Sequence, residues 1–163
     1  MNDINQFDKD SFFYLLDEDE KKLVLARMQS SNFALGESIF KEGDNDEKLY
    51  FVEKGSVSLI KTIGSDMNKT ILIAPEGKIF GEFSFIDGGV RSATALASDT
   101  TELLSLDRKD FDILNKESPE IGAKIYNNLL LTLTRRIRKT SEAHWGTIEK
   151  VINNQDWINP DVA

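Results

Sequence analysis

The stretch "FGEFSFIDGGVRSATALA", residues Phe80–Ala97, decides how the rest of the sequence is interpreted. It is mostly apolar, yet it contains a carboxylate, Glu82, and a guanidinium, Arg91, nine positions apart. Burying either charge is costly unless the charge has a partner. Two interpretations follow from the residues alone: a surface loop with an Arg–Glu ion pair, or a site that binds a charged ligand.

The local pattern is compatible with anion binding. Residues 81–85 predict one helical turn after a strand, and the start of a helix presents free N–H groups to an anion. The Gly88-Gly89 pair allows the chain to reverse its direction. The planar fork of Arg91 suits two oxygens of a phosphodiester, and Glu82 can accept a hydrogen bond from a ribose hydroxyl. A nucleotide with one compact phosphate satisfies these groups, although the spacing alone leaves the surface loop as the more ordinary interpretation.

The residues before and after this stretch favour β-structure. Short runs rich in β-branched and aromatic residues are separated by turn signals such as "EGDND", "KG" and "GSDMN". They predict strands at Asn32–Leu35, Ser38–Lys41, Leu49–Glu53, Ser56–Thr62, Thr70–Ala74, Ala93–Ala97 and Glu102–Leu106. About eight short strands at this spacing indicate an antiparallel sandwich or a jelly-roll barrel. The aromatic residues Phe80, Phe83 and Phe85 are expected in its core.

Helical periodicity appears at both ends of the chain. Residues 7–28 predict two short helices that are interrupted near "DEDE", where Asp17 or Asp19 can cap the second. After "LDRKDF" the pattern predicts a helix over Arg108–Glu117 and then a long helix from Pro119 to about Asn154.

The long helix has more apolar surface than a small barrel can cover. Spacings of three and four residues place seven side chains along one seam, as in a coiled coil: Leu130, Leu133, Ile137, Thr140, His144, Thr147 and Val151. This pattern predicts a homodimer formed through the helix.

Composition excludes several classes of function. The 163 residues contain no cysteine and one histidine, so neither a disulfide framework nor a metal site is expected. No apolar run is long enough to span a membrane, and the acidic "MNDINQFDKD" is unlike a signal peptide, which favours a cytoplasmic protein. A net charge of −8 makes DNA a poor partner, and "RRIRK" is best interpreted as a solvated helix face. No nucleophile–base pair suggests an enzyme.

The stretch that opens this section closely resembles the phosphate-binding cassette of the cyclic nucleotide-binding domain family. That cassette opens with Phe-Gly-Glu-Leu and closes with Pro-Arg-Ala/Ser-Ala-Thr at the same separation. "GESIFKEGDNDEKLYFVEKGSVSL" resembles the family's strands that lead to the cassette, and "RRIRKTSEAHW" is similar to the long-helix segment of its catabolite activator branch. The similarity covers roughly residues 10–146.

The resemblance implies a mainly β fold with flanking helices. This fold is an antiparallel jelly-roll barrel (double-stranded β-helix) with N-terminal helices and a long C-terminal helix. The whole is expected to be one cyclic nucleotide-binding domain. Its parts are residues 1–29 (N-terminal helices), 30–107 (barrel, with the cassette at 80–94) and 108–156 (C-terminal helices).

The resemblance also assigns roles to residues. Arg91 is expected to bind the cyclic phosphate, Glu82 the ribose 2′-hydroxyl, and Gly81 to permit close backbone approach. Backbone amides of Phe83, Ser84, Ser92 and Ala93 are expected to complete the anion site, and Thr140 and Ser141 to contact the base, one of them across a dimer.

The function implied is that of a non-enzymatic sensor without a DNA-binding domain. It is expected to bind cAMP, or less readily cGMP, and to transmit binding through its C-terminal helix to a dimer or to an effector protein not yet identified. The sequence departs from the family pattern in three places: Val90 replaces the frequent proline, Phe83 and Phe85 are bulkier than usual, and about one extra helical turn precedes Thr140. The bulky Phe83 and Phe85 keep an alternative open, a structural dimerisation module that binds no ligand.

Overall fold

The computed structural model of the chain describes residues 12–64 and 67–153. Twelve elements follow in chain order: α1 (Glu18–Leu25), β1 (Gln29–Phe33), β2 (Ser38–Phe40), β3 (Lys48–Lys54), β4 (Ser56–Ile63), β5 (Met67–Pro75), β6 (Ile79–Phe80), α2 (Glu82–Asp87), β7 (Thr94–Ala97), β8 (Thr101–Asp107), α3 (Arg108–Glu117) and α4 (Pro119–Asn153).

The strands form two antiparallel four-stranded sheets. One sheet has the order β1-β8-β3-β6 and the other β2-β7-β4-β5, so consecutive strands alternate between the sheets except for β4 and β5, which lie in the same sheet. The longest pairing joins β4 to β5, from Ser56 opposite Pro75 to Ile63 opposite Met67. Eight strands in two such sheets are a jelly roll, which confirms the predicted fold class.

Two buried clusters hold the barrel and the helices together. Neighbouring residues of a strand point to opposite faces, and β3 shows this directly: Tyr50 enters the cluster between the sheets, whereas Leu49 enters the cluster against the helices. The first cluster consists of Phe40, Tyr50, Val52, Val57, Ala74, Phe80, Ala95 and Leu103. The second contains Phe85, Phe111, Leu114, Ile125 and Leu129 together with residues of α1 and β8.

The helix starts agree with the capping residues in the sequence. Asp17 caps α1 through its carboxylate, and the side chain of Glu20 bonds back to the backbone of Asp17 in a capping box. Of the two predicted N-terminal helices, the second is therefore confirmed, with Asp17 as its cap. Residues 12–15 form a turn, and the rest of the first predicted helix lies outside the described residues.

The chain divides into two compact units, residues 1–129 and 130–163. In the second unit, α4 continues to Asn153 and exposes Leu130, Ile137, Trp145 and Ile148. None of the helices in the described part of the chain is long and apolar enough to cross a membrane.

Candidate functional site

Arg91 lies at the end of the loop after α2 and is 2% exposed. Two backbone hydrogen bonds fix its position against the β2–β3 loop: its N–H donates to the carbonyl of Asp44 (2.8 Å), and its carbonyl accepts from Gly43 (2.9 Å). The backbone of Arg91 is therefore held through both its N–H and its carbonyl, and the buried side chain extends from it into the barrel.

The two terminal nitrogens of the guanidinium make four hydrogen bonds. Nη1 donates to the carbonyl of Gly81 (2.9 Å) and to Ser84 Oγ (2.8 Å), which places it at the start of α2. Nη2 donates to Asp46 Oδ2 (2.6 Å) and to the carbonyl of Lys48 (2.7 Å). An arginine has five N–H groups. The fifth, on Nε, is buried and makes no hydrogen bond to any of the described residues.

Aromatic rings form the walls around the guanidinium. Its central carbon lies 4.1 Å from the ring centroid of Phe40 and 5.3 Å from that of Tyr50, a cation–π arrangement. The Tyr50 hydroxyl donates to Asp46 Oδ2 (3.2 Å). Burial raises the pKa of Tyr50 to about 12, and the negative charge of Asp46 adds to the rise. The phenol therefore remains a donor to Asp46 throughout the physiological pH range.

Gly81 connects β6 to α2 in the left-handed region, with φ of 76°. A Cβ at this position would lie 2.5 Å from Nη1 of Arg91 and 3.2 Å from the carbonyl oxygen of Lys48. The sequence predicted that this glycine permits close approach of the backbone to a ligand. In this structure the group that approaches closely is the Arg91 guanidinium itself.

The first turn of α2 contains three of the predicted site residues. Glu82 begins the helix and is 4% exposed, and Ser84 is buried with its hydroxyl on Arg91. The expectation that Phe83 lies in the core is wrong, because its side chain is 52% exposed. The reason is the helical period: Phe85 takes the inward position of this short helix and is fully buried, so a residue two positions earlier is directed outward.

Two further predicted residues follow Arg91 directly. Ser92 is exposed, and its carbonyl accepts a hydrogen bond from Lys61 Nζ (3.0 Å), which also pairs with Glu42 (2.8 Å). Ala93 is buried. The structure thus brings Gly81, Ser84 and Arg91 into direct contact. Glu82, Phe83 and Ser92 are their immediate neighbours in the chain, and Ala93 follows Ser92.

The predicted base contacts, Thr140 and Ser141, lie on α4 in the second unit. Both are exposed. The Thr140 hydroxyl donates to the carbonyl of Arg136 (2.9 Å), one turn earlier in the same helix. Contact of these residues with a base stays a prediction.

A second arginine binds the other end of α2. Arg108, the first residue of α3, donates through Nη1 to the carbonyls of Phe85 (2.7 Å) and Ile86 (3.3 Å), and its Nε pairs with Asp112 (2.9 Å). The last carbonyls of a helix have no intrahelical donor, so a cation at this end stabilises the helix. The helix therefore has an arginine at each end.

Sequence reasoning missed several residues of this site: Asp46, Lys48, Phe40 and Tyr50 supply the carboxylate, the carbonyl and the ring walls around Arg91. A signal was present, because a buried arginine requires an acceptor of negative charge. The turn "EGDNDE" offers four carboxylates between Glu42 and Glu47, and nothing in their spacing singles out Asp46.

Comparison with known proteins agrees with this geometry. The model of the cyclic nucleotide-binding domain matches residues 30–118. The "Cyclic AMP receptor protein" of Thermus thermophilus is 36% identical over 127 residues, which are 78% of this chain and 57% of that protein. Relatives of this kind are longer than the chain, which spans little more than half of that one.

Solved structures give the same result. The crystal structure of the catabolite activator protein of Thermus thermophilus aligns with a TM-score of 0.73 and 33% identity, covering 85% of this chain and 62% of that one. A cyclic nucleotide-binding domain from Methylobacillus flagellatus aligns with a TM-score of 0.77 and 30% identity, covering 81% and 74%. The domain model covers more than half of the sequence and includes every residue around Arg91. The chain therefore belongs to the cyclic nucleotide-binding domain family.

Proposed function

We propose that this chain binds a cyclic nucleotide at residues 80–94, with cAMP preferred over cGMP. One observation carries the proposal: the Arg91 guanidinium is buried, is directed at the first turn of α2, and keeps one N–H without an acceptor among the described residues. A buried donor without a partner costs free energy, which an incoming phosphate oxygen recovers. Relatives named as a cyclic AMP receptor protein and as a cyclic nucleotide-binding domain support the same ligand class.

In this proposal Arg91 binds the cyclic phosphate and Glu82 accepts a hydrogen bond from the ribose 2′-hydroxyl. The backbone amides of Phe83, Ser84, Ser92 and Ala93 surround the phosphate. Glu82 suits its role because it is nearly inaccessible to water, and a hydrogen bond to a buried carboxylate is stronger than one to an exposed carboxylate. The ring of Phe83 is exposed and takes no space in the core, whereas Phe85 is buried.

The output of binding is proposed to pass through α4. Leu130 and Ile137, two apolar positions of the predicted seam, are more than 60% exposed, which supports association with a second copy of the chain. We propose that Thr140 and Ser141 contact the base and that binding changes the dimer or a surface for a partner protein. Catalysis and DNA binding are not expected, and the cytoplasm is the proposed location.

Titration calorimetry with cAMP and cGMP tests the proposal. Arg91→Ala removes charge-assisted hydrogen bonds of about 1.5–3 kcal/mol each, so two of them correspond to an affinity loss of at least about a hundredfold. Arg91→Lys keeps the charge but loses the planar fork, and it should bind with intermediate affinity. Lys109→Ala removes an exposed cation of α3 and serves as the charge-matched control. Unchanged affinity in both Arg91 variants would contradict the assignment.

A second candidate function also rests on a specific observation. Four of the five N–H groups of Arg91 have acceptors within the chain, and Asp46 balances its charge, so the arginine is nearly satisfied by the chain itself. This favours a dimerisation module that uses the fold and binds nothing. Thermal unfolding separates the two functions, since a ligand at about 100 times its dissociation constant stabilises a protein by about 2.7 kcal/mol. No shift with either nucleotide would support the module.

A further inference from the structure

We propose that Asp46 sets the ligand affinity of this site. Its carboxylate binds Arg91 in the unliganded chain, and the phosphate of the ligand displaces it. This inference rests on the function proposed above and adds a residue to it.

The first step concerns the donors that remain for a ligand. Nε and Nη2 lie on the same edge of a guanidinium, and an oxyanion that binds this edge takes one N–H from each. Nε makes no hydrogen bond to any of the described residues, whereas Nη2 donates to Asp46 and to the carbonyl of Lys48. A two-oxygen contact with phosphate therefore requires one of these two acceptors to leave.

The second step identifies the acceptor that can leave. Lys48 begins β3, and its backbone is paired with Asp107 of β8, so its carbonyl is fixed by the sheet. Asp46 lies in the loop before β3, and its side chain is 25% exposed. In its present position the carboxylate also accepts from the Tyr50 hydroxyl (3.2 Å) and from the Lys48 backbone N–H (3.3 Å), and its partial exposure allows water to replace Arg91. Asp46 is therefore the exchangeable partner.

The third step is the charge balance. Asp46 and a cyclic phosphate each carry one negative charge, and the guanidinium carries one positive charge. If both anions bound Arg91 together, the buried group would be left with an excess negative charge, which is costly away from water. Exchange of one anion for the other keeps the pair neutral, so the two anions compete.

Competition has a measurable consequence. The contact with Asp46 stabilises the unliganded chain only, so the same factor that stabilises this state also weakens the observed affinity. A hydrogen bond to a charged acceptor is about twice as strong as one to a neutral acceptor, and the difference corresponds to about tenfold in an equilibrium constant.

The experiment compares Asp46→Asn with Glu47→Gln. Asparagine keeps the shape and the acceptor oxygen but removes the charge, and Glu47 is an exposed carboxylate one residue away that controls for the general loss of a negative charge. For Asp46→Asn we expect cAMP to bind about tenfold more tightly in calorimetry. In urea, Asp46→Asn without ligand should have an unfolding equilibrium constant higher than that of the wild-type protein by about the same factor. When both proteins are saturated with cAMP, their unfolding equilibrium constants should be equal. Glu47→Gln should change affinity by less than about twofold.

Two outcomes overturn the inference in different ways. If wild-type protein binds cAMP and Asp46→Asn binds equally or more weakly, then Asp46 orients Arg91 without competing, and the proposed function stands. If neither protein binds cAMP or cGMP, the proposed function fails together with the inference. Should Asp46→Asn not fold, a crystal structure of nucleotide-bound wild-type protein decides. An Asp46–Arg91 separation above about 4 Å is expected there, and a retained ion pair refutes the exchange.

Discussion

Gly81 and Gly88 lie at the two ends of α2, and replacing each with alanine separates backbone strain from contact with Arg91. Both glycines are in the left-handed region, with φ of 76° and 69°. A Cβ at Gly88 meets nothing within 4 Å, whereas a Cβ at Gly81 lies 2.5 Å from Nη1 of Arg91. Both substitutions therefore strain the backbone, but only Gly81→Ala also disturbs the contact with Arg91.

The expected magnitudes follow from these contacts. Alanine in the left-handed region costs roughly 1–2 kcal/mol, so Gly88→Ala should lower the free energy of unfolding by that amount. Gly81→Ala carries the same strain and also forces the guanidinium away from the Gly81 carbonyl. Losing one hydrogen bond to a charged group adds about 1.5–3 kcal/mol. A total loss of about 2.5–5 kcal/mol is expected for Gly81→Ala.

Urea unfolding of the two variants measures this difference directly, provided that the dependence on urea concentration stays the same. Calorimetry should then show weaker cAMP binding for Gly81→Ala and near wild-type binding for Gly88→Ala. Equal losses of stability in the two variants, within about 0.5 kcal/mol, would refute the argument that Gly81 is a glycine because Arg91 packs against it.

Two further predictions concern groups that contact this site. The pKa of Tyr50 rises from 10.0 to about 12, so the unfolded chain loses this proton first and the free energy of unfolding falls by about 2 kcal/mol as pH rises from 10 to 12. Phenylalanine has no such proton, so the free energy of unfolding of Tyr50→Phe, measured in urea across this range, should fall by that much less than that of the wild-type protein. An identical pH dependence in the two proteins would contradict the prediction. Arg108→Ala removes the hydrogen bonds to Phe85 and Ile86 and should cost about 1.5–3 kcal/mol in the same assay. Lys109→Ala, the exposed neighbour, should stay within about 0.5 kcal/mol, and equal losses in the two variants would count against a role for Arg108 at the end of α2.

Most of the fold follows from local patterns in the sequence. α3 has the predicted bounds, Arg108–Glu117, because Asp107 caps its start and Pro119 opens the next helix. The predicted strand at Asn32–Leu35 is displaced, however, since β1 covers Gln29–Phe33. Its first residues are polar and mostly exposed, and they become a strand by pairing with β8, from Gln29 opposite Ser105 onward. Such pairing with a distant strand leaves no periodic signal in the sequence.

The short strand β6 escaped prediction for a related reason. Ile79 and Phe80 pair with Phe51 and Tyr50 of β3, and two residues are too few to show an alternation. Local pattern nevertheless predicted the helical turn that follows, because Gly81 and the acidic Glu82 are typical of a helix start. The position of the cassette in the sequence was thus predictable, but how deeply its side chains are buried in the barrel was not.

The partner of Arg91 shows where reasoning from a single stretch ends. A buried cation requires an anion, and residues 80–97 contain two carboxylates, Glu82 and Asp87. Because Glu82 was assigned to the ribose, the phosphate of a ligand was the natural complement of Arg91. The chain instead supplies Asp46, 45 positions earlier, at 2.6 Å. A buried guanidinium must have such a partner, because without one it would be an unpaired charge away from water. The carboxylate is therefore a consequence of the arginine's burial, and a ligand that carries one negative charge can satisfy the same requirement in its place.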